Sequence, residues 1–406
     1  MNGPYLRRTL EPVLAQAAKD FPAVVLTGPR QSGKTTLLKH LFGKTHRYVS
    51  LELPDVQAAA LSDPRGFLAL HSPPMIFDEI QYCPDILAYI KEAVDARRSR
   101  KGQYILTGSQ NLLLLERVTE SLAGRAAILR LLPLSFRELS GDPNARLPWE
   151  SHRGKLTAHV SLNPLWQQLL RGNYPELAVE PQRDFRLWHA SYAQTYIERD
   201  VRLVRQIGDL AIFQNFLRTL AARSGQLLNL SDISRDLGAA VNTLKIWLSV
   251  LEASHQVVVL RPYYANVGKR LVKTPKVYFT DTGTLCYLSG LKDADHAASG
   301  PLAGAIFETA VLSEILKTLS HRGEEPEVYF WRTSTGSEVD FVVHTRGKLI
   351  PVEAKLSATL QPAMAGGIVA FQKDIGKKAD YGFVIHPGDT RLPLAPRVIG
   401  IPFGGW

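Results

Sequence analysis

The alternation of apolar and polar positions divides the chain into segments of different period. Ala23–Thr27, Met75–Phe77 and the YILT run at Tyr104–Thr107 are short apolar stretches bounded by turn residues and read as strands. Leu37, Leu38 and Leu41 begin a helical run after the first of them. Residues 141–165 are rich in Pro, Gly, Asn and His and read as a linker; apolar spacing over 166–225 is helical. Leu230, Ile233 and Leu237 stripe one helix, with Ser231 as its expected N-cap. Gly238 breaks it, and Val241, Leu244, Leu248 and Leu251 stripe a second. A strand follows at Val257–Leu260.

The last hundred residues contain the stretch AGAIFETAVLSEILKTL, an amphipathic helix, then the strand EVYFWRT. In SEVDFVVHTRGKLIPVEAKLS the polar and apolar positions alternate. A turn centred on Arg346-Gly347 would place Asp340 opposite Glu353 and Glu338 opposite Lys355. All four would share one face of a hairpin, with Val339, Phe341, Val352, Ala354 and Leu356 on the other. YGFVIHP reads as a further core strand.

Length and composition suit several globular cores: 406 residues, 45% hydrophobic and 21% charged. Lys and Arg exceed Asp and Glu by ten, and the pI is about 9.5. Such a balance favours an acidic partner, of which nucleic acid is the commonest. Cys83 and Cys286 make neither a disulfide framework nor a zinc spacing. The amino terminus lacks a signal-peptide core, and no apolar run is long enough to span a bilayer. The expectation is a cytoplasmic protein with no membrane partner.

Gly28-Pro29-Arg30-Gln31-Ser32-Gly33-Lys34-Thr35-Thr36 sits between a strand and a helix and matches G-x-x-x-x-G-K-[ST]. Glycines let backbone N–H groups curl around phosphates at a helix N-terminus. Lys34 would reach the β- and γ-phosphates of ATP, and Thr35 would ligate Mg²⁺. In MIFDEIQ, Asp78 would hold the Mg²⁺ and Glu79 would polarise the attacking water. Ser109 or Gln110, at the polar tip of LTGSQ, is placed to sense the γ-phosphate. Arg125, in SLAGR, is placed to reach a phosphate in cis or in a neighbouring subunit.

These motifs, in this order, resemble a family of AAA-plus-type P-loop ATPases. The resemblance implies a parallel αβα sheet, ATP rather than GTP, and a homo-oligomer, a ring in some relatives. The expected organisation is α/β: a P-loop ATPase domain at 1–140, a helical lid or linker at 141–225, a winged helix at 226–290 and a C-terminal α/β domain at 300–406. Asn242, Thr243 and Lys245 lie early in the second helix of the helix–turn–helix. The basic stretch after it holds Lys269, Arg270, Lys273 and Lys276, so these seven are the expected DNA contacts, mostly to phosphates. The segment from YIERDV onward resembles a domain of uncharacterised function that commonly follows such an ATPase module.

Glu308, Asp340 and Glu353-Ala354-Lys355, in that order, resemble the PD-(D/E)xK nuclease superfamily, with Val339 where proline is usual. The resemblance implies that Glu308, Asp340 and Glu353 bind Mg²⁺ or Mn²⁺ and that Lys355 stabilises charge during phosphodiester hydrolysis. Gln372 is a further auxiliary candidate. Three functions remain open at this point: an ATP-hydrolysing protein that processes duplex or branched DNA; an ATP-switched DNA-binding, regulatory or defence protein whose nuclease-like part does not cut; and a protein-interaction platform whose ATPase is a signalling or chaperone-like switch.

Overall fold

The computed structural model describes residues 4–108, 118, 120–150, 162–197, 210–263 and 273–405. Its first unit is a five-stranded parallel sheet of β1 (Ala23–Thr27), β2 (Arg47–Ser50), β3 (Met75–Asp78), β4 (Tyr104–Thr107) and β5 (Ala126–Arg130), in the order β2-β3-β4-β1-β5. Alternate residues enter two separate cores. Val24, Leu26, Ile76 and Ile105 pack with Leu37 and Leu38; Val25, Phe77 and Leu106 pack with Ile86, Ile90 and Val94. Burial on both faces is why these strands read as continuous apolar runs rather than as alternating ones. Helix α1 (Glu11–Asp20) precedes the sheet, and α2 (Lys34–Phe42) leaves the end of the loop after β1.

The middle of the chain is helical. Helices α3 (Leu230–Leu237) and α4 (Val241–Ala253) are followed by an antiparallel pair, β6 (Val257–Leu260) and β7 (Lys276–Phe279). Gly238 ends α3 at φ 66°, a left-handed conformation that glycine adopts without strain. The N-cap of α3 is Asn229, not the expected Ser231: its side chain accepts from the N–H groups of Ser231 and Asp232. An Asn two residues upstream satisfies two orphan donors at once.

The C-terminal unit runs in the order α5 (Ala303–His321), β8 (Val328–Arg332), β9 (Glu338–Thr345), β10 (Lys348–Ala354), α6 (Gly366–Ile375), β11 (Gly382–His386), β12 (Leu392–Ala395) and β13 (Val398–Pro402). The sheet order is β12-β13-β11-β10-β9-β8. The β8–β9–β10 meander is antiparallel, and β11 pairs parallel with β10. Helix α6 covers one face through Ile368 and Phe371. The face with Phe341, Val343, Ile350 and Val352 joins α5 and the middle helices in one core that extends from Leu147 to Phe403. Arg346 and Gly347 have φ of 48° and 71°, and two positive φ values suit a two-residue hairpin turn. The ladder runs from Lys348↔Thr345 to Val352↔Phe341, the register expected from that turn.

Candidate functional site

The loop after β1 curls over the amino end of α2. Gly28 has φ 144°, and a Cβ there would lie 2.1 Å from the carbonyl oxygen of Leu131, so the backbone approaches too closely for any other residue. Lys34 is buried, and its Nζ donates to the carbonyls of Gly28 and Pro29 at 3.0 and 2.8 Å. Thr35 Oγ1 donates to Asp78 Oδ2 at 2.7 Å, and Tyr48 donates to the same oxygen at 2.7 Å. A loop hydroxyl and a carboxylate from β3 therefore meet across the sheet. Glu79 takes a left-handed conformation at φ 56°, and Gln81 donates to its side chain. A non-glycine residue is held there at a strain cost of order 1–3 kcal/mol, a feature common in reactive sites.

The donors fit a nucleotide with its Mg²⁺. Ser32 Oγ and Thr107 Oγ1 are fully buried and have no hydrogen-bond partner among the described residues. Thr107 ends β4, the strand lying between the loop strand and β3. Residues 28–36 would cradle the phosphates, with Lys34 supplying charge, and Thr35 and Asp78 would hold Mg²⁺. When bound, Mg²⁺-ATP would present a polarised phosphoryl group to water, which Glu79 would orient.

Three residues far apart in sequence fix this loop. Arg8 donates to the carbonyls of Ser32 at 2.9 Å and Leu132 at 2.7 Å, and its Nε lies 3.2 Å from Glu138. His321, from the end of α5, lies 3.1 Å from Glu138 through Nδ1. Its Nε2 accepts from the N–H of Leu132 at 3.1 Å, so the ring proton sits on Nδ1, facing Glu138. Burial would raise the Glu138 carboxyl, but the charge of Arg8 and the hydrogen bonds from His321 and the Ser135 N–H outweigh it and hold it well below the usual range. Burial also keeps His321 neutral by pushing its pKa down. Sequence reading missed all three residues, because no short motif joins Arg8, Glu138 and His321.

Arg125 does not reach the loop from its own chain. It precedes β5, and Ala23 at the start of β1 pairs with Ala126, so Arg125 lies a full strand length from the phosphate loop. Its guanidinium forms a bidentate pair with Asp95 at 2.7 and 2.9 Å. Parallel strand direction decides this: only the carboxyl ends of the strands face the loop. Arg130, at the other end of β5, pairs in register with Thr27 beside the loop. Ser109 and Gln110 lie outside the described residues.

The second constellation gathers where β9 and β10 part. Asp340 and Glu353 are adjacent and buried, and Asp340 Oδ2 accepts from the N–H of Ala354 at 2.9 Å. Lys355 Nζ lies 2.7 Å from Glu353 Oε2. Glu308, from α5, accepts from Tyr278 and lies 3.4 Å from Lys276 Nζ. Burial, then the Asp340 charge, push the Glu308 carboxyl up to about 7 and Glu353 well above the carboxylate range. Burial would lower Lys355, but Glu353 and Asp340 outweigh it and raise its pKa.

Two expectations need correction here. Lys276 is not an outward DNA contact. It is 4% exposed, and its ammonium pairs with Glu338 at 2.6 Å and Glu308 at 3.4 Å. As the first residue of β7, paired with Leu260, it points into the carboxylate cleft rather than along the exposed stretch before it. Nor do Glu308, Asp340 and Glu353 converge as a metal cage: among the described residues no group of three or more His, Cys, Asp or Glu side chains is arranged to hold a metal ion. Lys276 and Lys355 engage the carboxylates instead. Glu338 faces Lys276 and Arg332 rather than Lys355, because beyond Ala354 the chain turns to β11, where the Lys355 N–H donates to Ile385. Gln372 donates to the carbonyls of Asp380 and Arg397, outside the cleft. Asn242, Lys245 and Lys273 are exposed and Thr243 half-buried; Lys269 and Arg270 lie outside the described residues.

The parallel sheet, the curled loop and the Thr35–Asp78 pair define a P-loop ATPase. Residues 20–140 match the model of an AAA domain, and residues 163–295 and 303–404 match two domains of unknown function, DUF8612 and DUF4143. An uncharacterized protein of Mycobacterium tuberculosis is 30% identical over 400 residues, 98% of this chain and 83% of that protein. The chain belongs to the same family. An uncharacterized protein of Haemophilus influenzae is 23% identical over 358 residues, 81% of each chain. Among solved structures, a Walker-type ATPase of Pyrococcus abyssi aligns with a TM-score of 0.42 at 18% identity, over 71% of this chain and 99% of that one. Among the described residues no helix is long and apolar enough to cross a membrane.

Proposed function

We propose that this protein hydrolyses ATP and acts on DNA through the C-terminal cleft, cutting phosphodiester bonds with Mg²⁺ or Mn²⁺. The observation that carries the reading is the grouping of Glu308, Asp340, Glu353 and Lys355 at the open end of the β9–β10 hairpin, with two carboxyls raised by burial and mutual repulsion. In the arrangement seen, Lys276 and Lys355 neutralise these carboxyls; a divalent cation that displaced Lys276 would relieve the same repulsion, and Lys355 beside it would stabilise developing phosphorane charge. The order α5–β8–β9–β10–α6–β11 supports a nuclease-like unit. The exposed Lys245 and Lys273, the two helices followed by a hairpin, and the net charge of +10 support a winged helix and a polyanionic partner. Duplex and branched DNA are the substrates to test, in a homo-oligomer whose ring closure is also open to test.

The decisive experiment incubates the full chain with duplex, forked and four-way DNA, with Mg²⁺ or Mn²⁺, with and without ATP. Lys34→Ala and Asp340→Ala serve as controls. Metal-dependent products lost in Asp340→Ala support cutting; ATP turnover indifferent to every DNA sinks the coupled reading. The Lys276 pairs favour a second reading, in which the cleft binds DNA under ATP control without cutting it. Retarded DNA mobility without products, unchanged in Asp340→Ala, identifies that case.

A further inference from the structure

A cavity of about 1060 Å³ opens where β5, the β6–β7 pair and α5 meet, apart from the carboxylate cleft. One wall is apolar and aromatic, formed by β6 with Leu316 and Tyr329. The facing side is polar and cationic. Lys317 is 1% exposed and lines the cavity; burial lowers its pKa, against the opposing charges of Asp281, Glu314 and Glu138. Ser320, also buried and on the same face of α5, has a hydroxyl with no partner among the described residues. Arg130 closes this corner, and its nearest acid is Glu325 at 3.8 Å, a side chain that is 81% exposed and free to swing away. The other acids of the lining, Glu120 and Glu252, are also exposed. Half-buried His255 sits on the rim at φ 57°, its imidazole pushed down to about 3 by desolvation and by the charges of Arg130 and Lys34.

A buried hydroxyl without a partner, as at Ser320, is expensive to maintain. A phosphate oxygen would satisfy it and would bring negative charge between Lys317 and Arg130. The volume is at the upper end of that of small-molecule sites, about 300–1,000 Å³, and such sites pair apolar walls with a few convergent polar groups. We propose that this cavity binds a phosphate-bearing small molecule. Its phosphate would meet Lys317, Ser320 and Arg130, its organic part would lie against β6 and Tyr329, and the site would lie beside the loop at residues 28–36 without sharing a lining residue with it. The assignment does not rest on DNA binding or cutting.

The test uses the full-length Lys34→Ala protein, in which the phosphate loop is disabled, and measures binding of AMP and of inorganic pyrophosphate by calorimetry. The expected result is that at least one probe binds, and that Lys317→Met or Arg130→Gln, each added to Lys34→Ala, weakens it at least tenfold. Met replaces the Lys317 stem with similar volume and no charge, and Arg130 is one-third exposed, so both variants should fold. Unchanged far-ultraviolet circular dichroism and a retained melting transition verify this. Failure of both probes to bind the Lys34→Ala protein, or binding that survives both added substitutions, overturns the proposal.

Discussion

Thr35 and Asp78 share a hydrogen bond 2.7 Å long, and Glu79 stands next to them in a left-handed conformation. This arrangement separates binding from turnover. Lys34→Ala should abolish detectable ATP binding in a fluorescent-nucleotide titration. Glu79→Gln should bind ATP within about threefold of wild type yet hydrolyse it at least ~100-fold more slowly, because only water activation is removed. Equal losses of binding and turnover in Glu79→Gln would assign the glutamate a structural role. In the cleft, Lys276→Met removes the ammonium facing Glu308 and Glu338. If a divalent cation competes for the same carboxylates, Mn²⁺ should raise the melting temperature of Lys276→Met more than that of wild type, and of Asp340→Asn least. Identical shifts in all three proteins would exclude a cation site there.

Helix α5 connects the two constellations. Glu308 near its start enters the cleft, Glu314 lies 3.2 Å from Arg137, and His321 at its end holds Glu138 beside the phosphate loop. Glu138→Ala leaves Arg8 buried without its carboxylate and should cost about 3–5 kcal/mol of stability in denaturant unfolding. His321 supplies a pH test. Its folded pKa lies below the unfolded value of about 6.5, so the unfolded chain takes up the proton first. The stability that neutral His321 contributes is complete above that value and is lost as pH falls below it. His321→Gln should therefore lose less stability between pH 7 and pH 5 than wild type, by up to ~1.4 kcal/mol per pH unit, the slope of one proton. His189 and His386, whose pKa values are also lowered, keep their share in both proteins. Equal slopes would place His321's proton uptake outside this pH range.

For the whole molecule, the prediction concerns charge. If exposed Lys245 and Lys273 bind phosphates, replacing both with alanine should reduce the slope of log affinity against log salt on duplex DNA by about 0.9 for each phosphate no longer neutralised. An unchanged slope would move the DNA surface elsewhere. Much of the fold was legible beforehand, since the strands β1, β3 and β4, the α3–α4 pair and the β9–β10 hairpin all follow local periodicity. The site was legible in part. Arg125 stood beside the right motifs but at the end of its strand away from its own chain's loop, which leaves only a neighbouring subunit's phosphate within its expected role, and Lys276 belonged to a basic run yet turned inward at the first residue of β7.

By itself the sequence determined whatever neighbouring residues enforce. The phosphate loop is nine consecutive residues, and the hairpin register follows from Arg346-Gly347 together with strict alternation. Tertiary structure decided which distant charges meet. Strand direction set Arg125 against Asp95. Burial of β7 brought Lys276 to Glu308 and Glu338, and the packing of α5 onto the ATPase sheet joined His321 to Glu138 and Arg8. A charge seeks its partner over a few ångströms of space whatever the separation along the chain, so composition and spacing do not encode these pairs.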